Sequence, residues 1–230
     1  MKRFYKKAVA MPAEGGFCVA LDGKPIRTPG GVTVLMPHRT LANALAAEWE
    51  AQADEMKPAL MEINQLVNSA IDRISVNPAA MVEEIAAYAG SDLLCYRAEA
   101  PAELCTRQQE AWDPLLDWAE TRFGVRFAVT TGIIPVSQDA LALQRIKAVI
   151  GQDDPFQLSA LRAVAGLGGS LILAMAVREA RLDAATAWRI AHIDEDWQRE
   201  KWGEDSEAEA SRANAYRVFA SAAHVLALLR

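Results

Sequence analysis

The feature that most constrains this chain is a change of hydrophobic period near residue 40. Ahead of it, Gly16–Leu21 is an apolar, β-leaning run, and Asp22-Gly23 is a two-residue turn suited to a tight hairpin into residues 24–28. Pro29-Gly30-Gly31 breaks the chain, and residues 32–36 read as a further strand. Pro25 and Pro29, which lack an N–H to give to a ladder, keep the second arm at an edge or in a turn. Beyond it Leu41, Leu45 and Trp49 recur at every fourth position, with Thr40 placed to cap the helix they imply. Strands first and helices afterwards give an α+β protein: a small N-terminal antiparallel β domain over residues 1–57, then a larger all-helical C-terminal domain over 58–230.

The helical period continues through Ile63, Leu66, Val67, Ala70, Ile71 and Ile74. Asn77-Pro78 supplies a cap and a first-turn proline for the next helix. Pro101 opens another that runs to Phe123 and stops at Gly124, and residues 125–136 read as an extended interlude. Ser137 starts a helix ended by Gly151, and Asp154-Pro155 starts one more. Helices over 170–181, 184–202 and 207–229 complete the chain, and Trp49, Trp112 and Trp118 are assigned to the core.

Composition narrows the function. With 24 Lys and Arg against 30 Asp and Glu, the net charge of -6 repels phosphate backbones, which argues against a nucleic-acid partner. Three cysteines, Cys18, Cys95 and Cys105, share no CxxC spacing and read as reduced thiols. The basic opening, Lys2 to Lys7, is followed by no apolar signal run, and the apolar run 171–177 is too short to span a bilayer. A protein that neither inserts in membranes nor is exported, and that works as a monomer, is expected.

Three kinds of chemistry can be tested against the residues. Gly166-Leu167-Gly168-Gly169-Ser170 has the glycines of a phosphate loop but no following lysine and no strand ahead of it, so close helix packing accounts for it better. Of His38, His192 and His224, none forms a zinc motif; His192 and Asp196, four apart with Glu195 alongside, leave a metal-dependent enzyme as a rival reading. Ser170 is not on a GxSxG elbow, and Cys95 sits among apolar neighbours. The expectation is a protein that is not an enzyme and carries neither metal nor cofactor.

The unusual stretch is 193–209, where Asp194, Glu195, Asp196, Glu200, Glu204, Asp205, Glu207 and Glu209 face only Arg199 and Lys201. On one helix Asp196, Glu200 and Glu204 would stack as like charges, each pair costing about 0.2–0.5 kcal/mol. Trp197 and Trp202 lie in the same stretch, and Gly203 ends or bends the helix. Either the tryptophans are core and the acids solvated, or aromatic anchors rimmed by acids meet basic groups on a partner.

Taken together, several pieces resemble one family. They are Arg3-Phe4-Tyr5-Lys6, Leu21-Asp22-Gly23-Lys24-Pro25 leading to Thr28-Pro29, Ala47-Glu48-Trp49-Glu50-Ala51-Gln52, Pro58 with Met61, and Ala70-Ile71-Asp72-Arg73. Ser91-Asp92-Leu93-Leu94-Cys95-Tyr96-Arg97, the QQEAWDPLLDW run from Gln108 to Trp118, Asp194-Glu195, Trp197-Gln198 and Trp202-Gly203-Glu204 follow in order. The chain resembles the ATP synthase assembly chaperones of mitochondria and alphaproteobacteria, which bind the alpha subunit. It departs at Leu60-Met61-Glu62, where a proline is expected after the methionine, and it shows no organelle-targeting extension, which points to the bacterial branch and the cytoplasm. The resemblance implies a transient hold on the unassembled alpha subunit, covering the surface that later faces a beta subunit, with no nucleotide hydrolysis. It places a partner-binding surface at Asp194, Glu195, Trp202 and Glu204, Glu195 foremost. A permanent structural subunit is the other rival.

Overall fold

Asp22 and Gly23 take φ values of 48° and 85°, the left-handed geometry that a two-residue hairpin turn demands. They join β2 (Gly16–Leu21) to β3 (Lys24–Pro25). The structure, a computed structural model, describes residues 2–132, 134–203 and 206–230. On its other side β2 pairs antiparallel along its whole length with β1 (Ala8–Ala13), while β4 (Leu35–Met36) pairs with the start of β2. β1 has no alternating pattern and contains Pro12, which an edge strand tolerates. The Ala8 N–H is taken by the Glu50 carboxylate, which lowers the Glu50 pKa.

The sheet packs on α1 (Arg39–Glu50) through Val19, Leu21 and Met36 against Leu41, Leu45 and Ala46. The helix starts after His38, two positions earlier than a Thr40 cap would require; the Thr40 hydroxyl instead donates to the Leu228 carbonyl at 2.7 Å. α2 (Glu62–Ser69) runs on into a π-helical turn, Ala70–Ile74. α3 (Pro78–Gly90) is capped by Asn77, whose side chain accepts from Ala80 N. α4 (Ala102–Phe123) stops where Gly124 turns left-handed at φ 67°. The extended interlude holds β6 (Thr130–Thr131), which pairs in parallel with β5 (Tyr96–Arg97).

α5 (Ala140–Ile150) begins at Asp139, not Ser137, because the Asp139 carboxylate accepts from Leu141 N at 2.7 Å. α6 (Pro155–Gly168) opens with a capping box between Asp154 and Gln157, and Ser170 caps α7 (Leu171–Arg178). The single helix expected over 184–202 is two, α8 (Ala184–Ala191) and α9 (Ile193–Trp202), broken at His192. α10 (Ser206–Leu228) closes the bundle against α6, α2 and α8. Among the described residues no helix is long and apolar enough to cross a membrane.

α7 is apolar on every side, and residues 171–177 are buried at the centre of the body. The glycines ahead of it serve packing: a side chain on Gly168 would meet Leu173 and Phe219 at 3.5 Å, and Gly169 turns the corner at φ 64°. Asp92 is wholly buried and accepts from Leu94 N (3.1 Å) and Ile172 N (3.0 Å). Burial outweighs those donors and raises its pKa to about 6. Trp112 has no exposed surface and donates to the Ile190 carbonyl at 2.9 Å, whereas Trp49 and Trp118 are half-buried at the core's margin.

The sheet is pinned to the helical body by polar ties. The Glu48 carboxylate accepts from Ile63 N and Asn64 N, both at 2.8 Å, and so caps α2, while the Trp49 indole donates to the Asn64 side chain. Asp72, in the π turn, accepts from the Thr28 hydroxyl (2.6 Å) and Gly30 N (2.9 Å). A Cβ at Gly30 would lie 2.7 Å from Asp72 Oδ1, so only glycine admits this approach. His38 meets Asp154 at 2.6 Å. The boundary expected at residue 57 falls between two buried side chains, Met56 and Met61.

Candidate functional site

α9 carries the acidic-aromatic stretch, and its charges are ordered along its axis. Asp194, Glu195 and Asp196 occupy the first turn, Arg199 and Lys201 the last, each sign at the end where the helix dipole favours it. Gly203, at φ 86°, ends the helix. One face of α9 turns inward. Trp197 is buried between the Arg107 guanidinium (4.9 Å from the ring centroid) and the Lys201 ammonium (4.3 Å).

Most of the acids are consumed inside the molecule. The Gln108 amide donates to Asp194 at 2.6 Å while its oxygen accepts from Ala98 N, so Asp194 ties α9 to α4 and β5. Asp196 receives Arg199 (3.2 Å) and Arg212 (2.6 Å). Glu200 is held by both Nη1 contacts of Arg107 at 2.8 and 2.9 Å, which together with Glu103 raise the arginine's pKa. Glu209 pairs with Arg199. The like-charge stack at Asp196 and Glu200 is thus relieved by cations from α4 and α10. These partners, Arg107, Gln108 and Arg212, carried no signal in the local sequence because they lie 86 or more residues away from Asp194 and Glu200, or on a helix beyond a chain reversal.

Two side chains stand outside this network. Glu195 is exposed and makes no hydrogen bond or ion pair among the described residues. Trp202 is 79% exposed at the end of α9. Both border one groove of 540 Å³ between α9 and α10, whose floor includes Trp188 and His192. The floor is rigid: the two rings stack at 3.7 Å, the His192 Nδ1 donates to the Trp188 carbonyl at 2.8 Å, and Tyr216 and Phe219 pack edge-on against Trp188. The tryptophans of the stretch are therefore divided, Trp197 to the core and Trp202 to the surface. Of the four expected site residues, Glu195 and Trp202 share a groove, Asp194 is turned to a structural tie, and Glu204 lies outside the described residues.

The rival chemistry finds its groups committed elsewhere. His192 and Asp196 are engaged as above, Ser170 Oγ accepts from Leu173 N, and burial pushes the Cys95 thiol up to about 12. What the α9 edge offers is an aromatic floor, an exposed indole and a free carboxylate, the materials of protein recognition.

Known proteins share this fold. The family model described as ATP12 chaperone protein matches residues 2–120. The crystal structure of Atp12 from Paracoccus denitrificans superposes with a TM-score of 0.93 at 40% identity, covering 100% of this chain and 98% of that one. An aspartate-to-lysine mutant of the P. denitrificans protein matches with the same values. A chaperone candidate from Agrobacterium tumefaciens gives a TM-score of 0.96 at 42% identity, over 100% of this chain and 86% of that one. The protein atp12, mitochondrial, of Schizosaccharomyces pombe is 24% identical over 214 residues, 88% of this chain and 74% of that one. The chain belongs to the ATP12 chaperone family.

Proposed function

We propose that this protein is an assembly chaperone that binds the unassembled alpha subunit of ATP synthase, shields the surface that later faces a beta subunit, and leaves as the catalytic hexamer forms. Family membership supports the chaperone class. The observation that carries the site is that Trp202, 79% exposed, shares one aromatic groove with Glu195, whose carboxylate has no partner among the described residues.

The physical logic is that of a temporary cover. An obligate subunit interface is large and apolar, and when bare it aggregates. The cover must hold well enough to shield it and still lose to the true neighbour by mass action. An indole supplies area at little entropy cost, and a rim carboxylate sets register against a basic group. In this reading Trp202 gives the area and Glu195 the register, Glu204, two residues beyond Trp202 in the sequence, adds charge, and Asp194 acts by fixing α9 on α4. The protein works as a monomer in the bacterial cytoplasm, without a catalytic step or a cofactor.

The test is co-expression with the cognate alpha subunit in the absence of beta, followed by pull-down and a solubility assay. Alpha should become soluble, co-purify with this chain, and be released when beta is added. Alpha that neither binds nor gains solubility sinks the proposal. Recovery in fixed stoichiometry with mature ATP synthase would instead make the chain a permanent subunit.

A further inference from the structure

The head of the molecule bears a second aromatic surface, of opposite charge. Residues 1–37 contain six cations, Lys2, Arg3, Lys6, Lys7, Lys24 and Arg27, against Glu14 and Asp22, in a chain whose net charge is -6. Arg3 is consumed internally: its guanidinium donates to the carbonyls of Tyr5, Lys6, Glu50 and Gln52 and pairs with the Glu50 carboxylate at 3.2 Å. Its backbone N–H donates to Asp54 O at 2.8 Å. On the other side of Phe4, the Tyr5 hydroxyl donates to the Trp49 carbonyl (2.6 Å), and Lys6 N and Lys7 N donate to the Asp22 carboxylate.

Phe4 is therefore held between two anchored neighbours, and it stays 66% exposed. A phenylalanine on a loose terminus could fold back onto apolar surface; this one is fastened outward. Its ring stands edge-on to Tyr5 at 5.3 Å, and Tyr5 meets Trp49 at 5.7 Å. These three rings and Ile26 line a groove of 440 Å³ whose rim carries Lys24 and Arg27. Among the described residues the Lys24 ammonium has no hydrogen bond or ion pair, and the Arg27 guanidinium has only the Gly31 carbonyl at 2.7 Å. The groove's acid, Asp22, is filled by the N–H groups of Lys6 and Lys7, which hold its pKa down. Among the described residues no carboxylate pairs with the two rim cations.

We propose that this groove is a docking site for an acidic protein segment carrying an apolar or aromatic anchor. The anchor lies along Phe4 and Trp49, and the flanking carboxylates meet Lys24 and Arg27. A nucleic acid, whose bases could also stack on Phe4, is disfavoured by the net charge of -6 and by a rim that, among the described residues, carries two cations, Lys24 and Arg27. The site is separate from the α9 groove, and it stands whether or not α9 holds the alpha subunit.

The full chain, isotopically labelled, is titrated with a short synthetic peptide bearing one phenylalanine among aspartates and glutamates. Saturable shifts should appear at the amides of Phe4, Tyr5, Lys24, Ile26 and Arg27 and at the Trp49 indole, and weaken as salt rises. The double variant Lys24→Glu, Arg27→Glu, and separately Phe4→Ser, should lower the affinity about tenfold. All three positions are exposed, and unchanged circular dichroism verifies the fold. The proposal is overturned by any of four results. They are no saturable shift, equal binding of a peptide with lysines in place of the acids, binding indifferent to the double variant, or tighter binding of oligothymidylate at the same residues. Sedimentation of the protein alone decides the remaining case, since self-association abolished by the double variant would make a second copy the occupant and overturn the proposal as well.

Discussion

The junction under the sheet and the edge at α9 are built from the same residue types and end in opposite states. At the junction Arg3, Tyr5, Glu48, Trp49 and Glu50 satisfy one another or the backbone, two carboxylate oxygens of Glu48 capping α2 and the indole of Trp49 meeting Asn64. At α9 the same mixture of tryptophan, acid and arginine is satisfied at Asp194, Asp196, Glu200 and Trp197, yet Glu195 and Trp202 are left over. Density of charge and aromatic area does not mark a binding surface. The remainder after internal pairing does.

This contrast makes the internally paired acids matter for stability and the unpaired ones for binding, and it can be broken at several points. The largest effect belongs to the buried acid Asp92. Asp92→Ala leaves the N–H groups of Leu94 and Ile172 without their partner and should cost about 3 kcal/mol in urea unfolding. The same carboxyl predicts a pH dependence. Its folded pKa of about 6 lies above the ordinary 3.8, so the folded state takes up the proton first as pH falls. Wild type should gain stability over Asp92→Asn as pH drops from about 6 toward about 4, and lose that gain as pH rises again. Parallel pH profiles for the two proteins would refute the assignment.

Glu48→Ala comes next. It removes the cap of α2 and should cost about 1–2 kcal/mol, with alpha-subunit capture unchanged at temperatures where the variant is folded. Loss of capture in folded Glu48→Ala would carry the working surface into the junction. The smallest change in stability, within about 0.5 kcal/mol, is expected for Glu195→Lys and Trp202→Ala, yet both should lower recovery of the alpha subunit in the co-expression pull-down. If either destabilises the fold as much as Glu48→Ala, the edge is structural and the contrast between the regions disappears.

The division into sheet and helices was legible because it rests on local rules. The hairpin turn needed Asp22-Gly23, the caps needed Asn77, Asp154 and Ser170, and the stops needed Gly124 and Gly203. β1 escaped because its partner supplies its register and its own alternation is weak. The break at His192 escaped because residues on both sides favour helix, and the stack of its ring on Trp188 four residues earlier is what a continuous helix would also allow. At the site, the resemblance drew attention to residues 193–209 as a stretch. Which acid of that stretch was unpaired depended on Arg107, Gln108 and Arg212, and no spacing along the chain encodes their arrival. Several of the residues on which the resemblance rests, Glu48, Trp49, Asp72 and Asp92 among them, serve the fold.

α10 has a consequence in time. It covers α6, α2 and α8 with Phe219, Ala222 and Val225, and its far end receives the Thr40 hydroxyl at the Leu228 carbonyl. Every one of these contacts joins α10 to residues that precede it in the chain. On the ribosome the sheet and the earlier helices emerge with the α6 face bare, and they wait for α10 before that face is sealed. During that interval a protein of the chaperone class itself displays an unsealed apolar surface, and its own synthesis is the moment at which it most needs protection.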